Sequence, residues 1–293
     1  MPVPRPTILV TGGTGRLGRL IVAELIGQGA AVRVLTARPT EARALLGADI
    51  DLAEGRFEDA DALAAGLAGI ETLLLLSPVS DTLASGQTAA VAAAERAGIR
   101  RIVKISGSTW TIDPPGATHS GDAHAAVEAR LLASPIETVA LRPNAWMQTS
   151  LGPALVRAAA TGTLALPHGD TPVAFIDARD IAAVAVKQLL AEAVAPGPLI
   201  LTGPRAVNGS DLAGLVAQAS GRPVRWARLA WADQEAQLAA AGVPQAHRAN
   251  IRRFAVLMAD GAAAPVTATV AQILGRPARD VAAFVAETLA AVG

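Results

Sequence analysis

A glycine-rich segment near the amino terminus has the residues and the spacing of a phosphate-binding turn. It reads Thr-Gly-Gly-Thr-Gly-Arg-Leu-Gly over residues 11–18, after an apolar run and before a stretch with helical spacing. Gly12 is expected to form the tight turn, Gly15 to let the backbone approach a pyrophosphate, and Gly18 to let the helix pack on the strand. The helix start offers N–H groups and a partial positive charge to the phosphates. The alternative is an ordinary glycine-rich turn, but the strand–turn–helix context favours nucleotide binding.

The end of the second predicted strand bears on which dinucleotide is bound. Sites for NAD usually place an acidic residue about 20 residues after the glycine motif, where it bonds the ribose 2′-hydroxyl. Here the sequence is Thr36-Ala37-Arg38, with no acid. Arg38 and Arg16 could together hold the 2′-phosphate of NADP; the alternative is that both arginines are solvated. The sequence therefore predicts NADP(H) as the preferred cofactor, with NAD(H) possible.

The chain contains no tyrosine, which excludes the tyrosine–lysine pair that standard short-chain dehydrogenases use for proton transfer. Its only lysines, Lys104 and Lys187, fall in a predicted strand and on a late helix. His124 and Glu128 stand four residues apart, on one face of a predicted helix. An imidazole with a pKa of about 6.5 can donate or accept a proton at neutral pH, so His124 is the candidate catalytic residue, and Glu128 could orient it. The alternative is that the two residues form an ordinary i,i+4 pair on the helix surface. In that case water would protonate the reduced product, as can happen with a quinone acceptor.

These residues need a frame that brings strand ends and helix starts together, and the hydropathy pattern predicts one. Short apolar runs alternate with helical stretches from residue 7 to residue 141. The alternation predicts a Rossmann-type, doubly wound parallel sheet with helices on both faces. Predicted strands cover residues 7–10, 31–35, 50–53, 71–76, 101–105 and 137–141, and predicted helices cover residues 16–28, 40–46, 59–67, 82–97 and 123–132, with Thr40 as a possible cap.

After Arg142-Pro143 the pattern loosens, because proline and glycine interrupt it repeatedly. We interpret residues 1–150 as the NAD(P)-binding region and residues 151–293 as a small substrate-binding lobe packed on it, together one structural unit. Helices are predicted over residues 155–160, 180–192, 210–220 and 277–291. Asp180 is expected to cap or begin the second of these and Asp177 to fix the turn before it; the alternative is a pair of catalytic carboxylates.

Composition narrows the class of protein. Hydrophobic residues make up 52% and charged residues 17%, so a sizeable folded core is expected. The formal net charge of zero argues against a nucleic-acid partner. There is no cysteine and the four histidines are scattered, so no metal site is expected. His168 is expected to be solvated or bonded locally, and the pair Arg100-Arg101 to be solvated. No run of about 18 apolar residues occurs, so we expect no membrane span, a cytoplasmic protein, a small-molecule substrate, and a monomer or homodimer.

Several segments, in order along nearly the whole chain, resemble atypical short-chain dehydrogenases, in particular the NmrA-like family that includes type-2 quinone oxidoreductases. Such matches are specific for the family and not for a substrate. In two places the chain departs from the family. Arg56 stands where members often have Asp, and Ala37 stands where members usually have an arginine, one place before Arg38. Besides the glycine loop, the similar segments are Gly55-Arg56-Phe57-Glu58-Asp59, Leu75-Leu76-Ser77-Pro78, Leu141-Arg142-Pro143-Asn144-Ala145-Trp146-Met147-Gln148, Phe175-Ile176-Asp177-Ala178-Arg179-Asp180-Ile181-Ala182, Leu201-Thr202-Gly203-Pro204 and Leu274-Gly275-Arg276-Pro277.

The resemblance implies that NADP(H) lies across the strand ends, with contacts carried over position by position. His124 aligns where relatives carry a functional lysine or histidine. Trp146 and Met147 follow the last strand of the sheet, where ligands bind in such folds, and either line a substrate pocket or belong to the core. The implied cofactor contacts are Gly12, Thr14, Gly15, Arg16, Leu17, Arg38, Ser77, Pro78, Val79, Ser106, Pro143, Asn144 and Ala145.

Three functions fit these expectations. The first is an NADPH-dependent oxidoreductase acting on a small conjugated or imine- or quinone-type acceptor, in which the nicotinamide carries the hydride chemistry. The second is a non-enzymatic redox sensor that binds NADP(H) and reports to a partner. The third is an isomerase or cyclase that retains its cofactor.

Overall fold

The computed structural model describes residues 7–194 and 197–292, which form nine strands and fourteen helices. Among these residues, no helix combines the length and the apolar character needed to cross a bilayer. In chain order the elements are β1 Thr7–Thr11, α1 Arg16–Gly27, β2 Ala31–Thr36, α2 Pro39–Leu46, β3 Asp51–Glu54, α3 Ala60–Leu67, β4 Thr72–Leu75, α4 Leu83–Arg96, β5 Arg101–Ile105, α5 Thr109–Ile112, α6 His119–Leu132, β6 Glu137–Pro143, α7 Met147–Ser150, α8 Gly152–Thr161, β7 Thr163–Leu166, α9 Ala178–Leu190, β8 Pro198–Leu201, α10 Gly209–Ser220, β9 Arg225–Arg228, α11 Trp231–Ala240, α12 Gln245–Ala259, α13 Thr269–Leu274 and α14 Val281–Ala290.

A seven-stranded sheet has the strand order β3-β2-β1-β4-β5-β6-β8. In this order, each strand from β3 to β6 is parallel to the strand next to it. Every residue of β4 and β5 is buried, as is expected of strands with helices on both faces. The prediction of a Rossmann-type fold is confirmed. The chain builds outward from β1 to β3 and then crosses to β4, so the carboxyl ends of β1 and β4 flank the switch point at which such sheets bind ligands.

Local sequence accounts for the helices that cover this sheet. In α1 the apolar residues Leu17, Ile21 and Leu25 recur at four-residue spacing, and all three are buried. Helix α3 begins after Asp59, whose carboxylate accepts the N–H groups of two residues in the first turn. Strands and helices share a hydrophobic cluster that includes Leu9, Leu35, Leu63, Leu67, Leu73, Leu75, Val91, Ile102 and Val127.

The described residues divide into two compact units, each discontinuous in sequence. The first unit comprises residues 7–107, 122–142, 181–194 and 197–199, and the second comprises residues 108–121, 143–180 and 200–292. Most of helix α9, residues 181–190, comes from the second half of the chain and thus belongs to the first unit. The division near residue 150 stays a prediction about domain organisation.

The second unit has its own core around the two-stranded parallel sheet of β7 and β9. A Cβ atom on Gly209 would lie 2.1 Å from the ring of Trp226, so helix α10 can begin against that ring only because residue 209 is glycine. The core residues include Trp110, Met147, Leu155, Leu164, Phe175, Leu212, Val216, Phe284 and Val285.

The structure corrects the ends of several elements. Helix α6 begins at His119, one turn before the predicted start at residue 123. Thr40 does not cap α2, because the helix begins at Pro39 and its N-cap residue is Arg38. Strands β7 and β9, each of four residues, and helices α11, α12 and α13 were not predicted.

Arg101 was expected to be solvated, and this is wrong. Its side chain is fully buried, and its Nε donates to the Glu137 carboxylate at 2.7 Å. The same guanidinium donates to the carbonyl oxygens of Gln188, Ala191 and Glu192, at and just beyond the end of α9. A helix end leaves its last carbonyls without partners in the helix, so these contacts let Arg101 close the end of α9 onto the sheet.

His168 was expected to be solvated or bonded locally; it is 4% exposed, so solvation is wrong, and its Nε2 has no hydrogen-bond partner among the described residues. It lies beside the ring of Phe175 in the second unit, with the two ring centroids 6.2 Å apart. Burial lowers its pKa to about 4, because the apolar surroundings disfavour the charged imidazolium. His168 is therefore neutral at neutral pH.

Candidate active site

The glycine-rich turn leaves no room for side chains at three of its positions. Gly12 has a φ of +65°, and a Cβ there would lie 2.8 Å from the carbonyl oxygen of Leu76. A Cβ on Gly13 would lie 2.7 Å from Val34. A Cβ on Gly18 would lie 2.1 Å from the carbonyl oxygen of Gly12, so α1 packs directly on the turn. These roles agree with the tight turn expected at Gly12 and the close packing expected at Gly18.

Gly15 differs from its neighbours, because it is exposed and its φ of −72° suits any residue. It is the N-cap of α1, a helix of 12 residues, and a glycine provides no side-chain acceptor for the N–H groups of the first turn. A Cβ on Gly15 would touch only the carbonyl oxygen of Gly12, at 3.2 Å. The turn and the helix start therefore fit the pyrophosphate of a dinucleotide, which can approach this backbone as it could not approach a side chain.

Thr11 ties the turn to the end of β4. Its hydroxyl lies 3.0 Å from the carbonyl oxygen of Leu74 and 2.8 Å from that of Leu76, and it accepts the N–H of Leu76 at 2.9 Å. The next residue, Ser77, is half-buried, whereas Pro78 and Val79 are exposed. The sequence-predicted positions at the ends of β1 and β4 thus lie side by side in the first unit.

A buried polar cluster lies on β5 and the helices that pack on it. Lys104 is fully buried within β5, and its Nζ lies 2.8 Å from Oε1 of Gln87 on α4 and 2.9 Å from Nδ1 of His124 on α6. Nζ also lies 3.3 Å from the carbonyl oxygen of Ile105. Gln87 donates in turn to Oγ of Ser77, at 2.9 Å. We call Ser77, Gln87, Lys104 and His124 the lysine cluster; it links the end of β4 to the candidate catalytic histidine.

Burial sets the charge of this cluster. It lowers the pKa of Lys104 to about 7, although the nearby Glu128 carboxylate acts to raise it. Burial, and then the positive charge of Lys104, hold the pKa of His124 far below its ordinary value. His124 is therefore neutral at neutral pH and acts there as a hydrogen-bonding imidazole. The expectation that it titrates near neutral pH is wrong, because the ring is desolvated and faces a cation.

Glu128 has other partners than the one expected. Its carboxylate forms an ion pair with Arg142 at 2.6 Å and accepts the hydroxyl of Ser106 at 2.5 Å. The group that contacts His124 is Lys104, from the neighbouring strand. Glu128 is thus bound to the ends of β5 and β6, and the expectation that it orients His124 is replaced by orientation through Lys104.

Arg38 lies where a cofactor phosphate is expected, at the start of α2. Its side chain is 69% exposed and pairs with Glu41 at 2.8 Å, within the same helix. Ion pairs between exposed groups are weak, so this contact leaves the guanidinium available to a stronger anion. Arg16, the other predicted 2′-phosphate contact, is exposed at the start of α1.

The remaining predicted contacts belong to the second unit. Pro143 and Ala145 are buried, and Asn144 uses its side-chain amide within the unit: Oδ1 accepts from Trp110 at 2.6 Å, and Nδ2 donates to Ala263. The predicted substrate-lining residues differ in exposure. Trp146 is half-buried, and Met147 is fully buried in the core of the unit; their roles toward cofactor and substrate stay predictions.

Asp177 and Asp180 are both fully buried in the second unit. Asp177 precedes α9 and accepts the N–H of Arg179, as a capping residue does. Burial raises the pKa of Asp177, but hydrogen bonds from Arg179 and Gln148 more than offset this, and the net shift is downward. Asp180 lies inside the first turn and accepts from Arg276 and from the N–H of Arg279. Both carboxylates are occupied by structural contacts, which supports the structural interpretation of the pair.

The sequence of residues 4–284 matches the model of the NmrA-like family. The chain belongs to the NmrA-like family. The resemblance drawn from individual motifs is therefore confirmed over nearly the whole length.

Relatives of this NmrA-like protein cover almost all of it. It is 29% identical to the NAD(P)H azoreductase of Xenophilus azovorans over 98% of this chain and 99% of that protein. It is 31% identical to the (4-alkanoyl-5-oxo-2,5-dihydrofuran-3-yl)methyl phosphate reductase of Streptomyces griseus over 93% of this chain and 94% of that protein. The structure also resembles that of an NADPH-dependent quinone oxidoreductase from Escherichia coli complexed with NADPH. The TM-score is 0.83, with 25% identity over 97% of this chain and 99% of that chain.

Sequence reasoning about this NmrA-like protein missed Lys104 and Gln87 as site residues. A signal for Lys104 was present, because a lysine inside a short apolar strand of a covered sheet must be buried and needs partners. Gln87 offers no comparable signal: it stands in an alanine-rich helix, and only the fold brings it to Lys104.

Proposed function

We propose that this protein is an NADPH-dependent oxidoreductase that transfers hydride to a small conjugated acceptor of the quinone, enone or imine type, without a tyrosine–lysine pair. The observation that carries the proposal is the glycine turn at the sheet's switch point. It combines three positions closed to any side chain with an uncapped helix start at Gly15. A closed backbone surface beside a positive helix end is the arrangement that receives a pyrophosphate.

The chain is an NAD(P)H-dependent oxidoreductase, in keeping with its family and with the full-length relative named NAD(P)H azoreductase. NADP(H) is its cofactor, in keeping with the similar structure that holds NADPH. The finer assignments, namely the acceptor and the residue contacts, are our proposal. A cytoplasmic location and a monomeric or homodimeric state stay predictions.

Binding and orientation are the tasks we assign to the first unit. The turn holds the pyrophosphate, Arg38 and Arg16 hold the 2′-phosphate, and Ser77, Pro78, Val79 and Ser106 line the ends of the next two strands. When bound, NADPH supplies the hydride. We further propose contacts from Pro143, Asn144 and Ala145 to the cofactor and from Trp146 and Met147 to the substrate.

We assign to His124 the polarisation of the acceptor. A neutral imidazole N–H can donate to the acceptor's oxygen or nitrogen, on which negative charge develops during reduction. Azo compounds, unsaturated lactones and quinones all offer such a heteroatom at the end of a conjugated system. One donor of this kind serves all three types of acceptor, so the proposal requires no tyrosine.

A panel assay tests the proposal. Purified protein is mixed with NADPH or NADH and with a quinone, an azo compound, an enone and a cyclic imine, and loss of the dihydronicotinamide absorbance is followed. We expect turnover of at least one acceptor, faster with NADPH, and none with the Gly15→Val variant. Tight NADPH binding without turnover of any acceptor would favour the redox sensor, and rearranged product without net cofactor oxidation would favour the isomerase.

A further inference from the structure

The lysine cluster contains a buried cation that the proposed chemistry does not use. Lys104 lies in the middle of the sheet with its side chain fully enclosed. Burying an ammonium group is unfavourable unless its N–H groups are all bonded, so its partners are informative.

The partners of Lys104 match the donors of an ammonium group in number. Nζ carries three N–H groups and no acceptor when protonated. Three acceptors surround it: Oε1 of Gln87, Nδ1 of His124 and the carbonyl oxygen of Ile105. With Lys104 protonated, Nδ1 must therefore present its lone pair, and the proton of the neutral ring must lie on Nε2.

The hydrogen bond from Lys104 also determines the orientation of the Gln87 side-chain amide. Because its Oε1 accepts from Lys104, its Nε2 faces the other way and donates to Ser77 at 2.9 Å. In the chain of hydrogen bonds Ser77–Gln87–Lys104–His124, the protonated Lys104 thus determines which group donates and which accepts in each bond.

We propose that Lys104 is a positioning residue that fixes His124 as the neutral Nε2–H tautomer, and so makes the ring a hydrogen-bond donor toward the acceptor. The part of this proposal that concerns the acceptor rests on the proposed function. The tautomer itself is a property of the protein alone, and it can be measured whether or not any acceptor is reduced.

The arrangement is sensitive to pH through Lys104. The groups that face its Nζ are His124 and Glu128 from α6 and Gln87 from α4; Arg142 from β6 is paired with Glu128. Burial lowers the pKa of Lys104 to about 7. Once the amine is neutral, its lone pair can accept a hydrogen bond from a protonated Nδ1, so the Nε2–H tautomer loses its preference. The donor is present below the pKa of Lys104 and is lost as the pH rises through it.

Nitrogen-15 NMR of the cofactor-free protein with labelled histidine tests the tautomer directly. The His124 signals are assigned by their loss in the His124→Gln variant. We expect a protonated Nε2 and an unprotonated Nδ1 at pH 6, with the ring still neutral there, and a change of tautomer between pH 6 and 8. In Lys104→Met this preference disappears, whereas in Lys187→Met, which removes the other, exposed lysine, it is kept.

Kinetics test the consequence. In the wild type we expect kcat to decline as the pH rises through about 7, because the Nε2–H donor is lost there. In Lys104→Met we expect kcat with the acceptor to fall at least 10-fold, NADPH affinity to change less than 2-fold, and this decline to vanish. A wild-type ring protonated on Nδ1, or cationic at pH 6, overturns the proposal even if Lys104→Met does not fold. If the tautomer is as expected but no acceptor is turned over, the proposed function fails and the positioning by Lys104 stands.

Discussion

Two glycines three residues apart in the phosphate turn should give opposite results when each is replaced by alanine. At Gly18 the new Cβ would lie 2.1 Å from the carbonyl oxygen of Gly12 and 2.7 Å from the Cα of Gly13. Both are backbone atoms, so the turn itself must move. Overpacking of this kind usually lowers the free energy of unfolding by about 1–3 kcal/mol, and because backbone must shift we expect about 3 kcal/mol.

At Gly15 the new Cβ would lie 3.2 Å from one carbonyl oxygen, which a shift of a few tenths of an ångström relieves. The residue's φ of −72° is allowed for alanine. The loss of a glycine N-cap and the gain from a stiffer unfolded chain are each about 1 kcal/mol or less, so stability should change by less than about 1 kcal/mol. The methyl group would occupy the surface that the pyrophosphate needs. Losing one charge-assisted hydrogen bond, worth about 1.5–3 kcal/mol, lowers NADPH affinity about 10- to 100-fold.

Urea unfolding and calorimetric titration with NADPH measure the two effects separately. Gly27→Ala is the matched control: it lies at the end of the same helix with no atom within 4 Å of the new Cβ, and it should bind NADPH as the wild type does. Wild-type NADPH affinity in Gly15→Ala would refute the assignment of the turn. Unchanged stability in Gly18→Ala would refute the packing argument.

Three further predictions concern single side chains. Arg38→Ala should lower NADPH affinity about 10-fold and leave NADH affinity unchanged, while Arg43→Ala changes neither; equal losses for both cofactors would count against a 2′-phosphate contact. His168 has a folded pKa of about 4 against about 6.5 unfolded, so its contribution to stability is complete above pH 6.5 and is lost as the pH falls to 4, by up to about 3 kcal/mol. Unfolding experiments across this range should show a smaller acid-induced loss in His168→Leu, and an identical loss would contradict the burial argument. Arg101→Met should lower the free energy of unfolding by about 3 kcal/mol and Arg100→Met by less than 1 kcal/mol, as measured in urea; similar values would show that Arg101 does not close the end of α9.

The sheet and its covering helices could be predicted from sequence because their signals are local. The strand at residues 101–105 was predicted to the residue from its apolar run, and α1 was predicted to within one residue from its apolar spacing and the glycine that follows it. Much of the second unit has no such signal. Helix α11 buries no residue completely, and the start of α10 depends on Trp226, 17 residues after Gly209.

The candidate site was predictable to the same extent. The phosphate turn is a continuous segment, and the spacing of its glycines is enough to predict what each of them does. His124 could be singled out from the absence of tyrosine and from its helical position, but its partner could not. The spacing of His124 and Glu128 suggested a pair, whereas the sheet brings Lys104 to the ring from 20 residues away and binds Glu128 to Arg142.

Hydride transfer from the cofactor is the central claim, and isotope transfer tests it most directly. NADPH carrying deuterium at one of the two C4 positions is mixed with the protein and a conjugated enone under single-turnover conditions, and the product is examined by mass spectrometry. We expect one deuterium on carbon in the reduced product from one of the two labelled cofactors and none from the other. An unlabelled product from both labelled cofactors, or NADPH that stays bound and unoxidised beside every acceptor of the panel, would contradict hydride transfer.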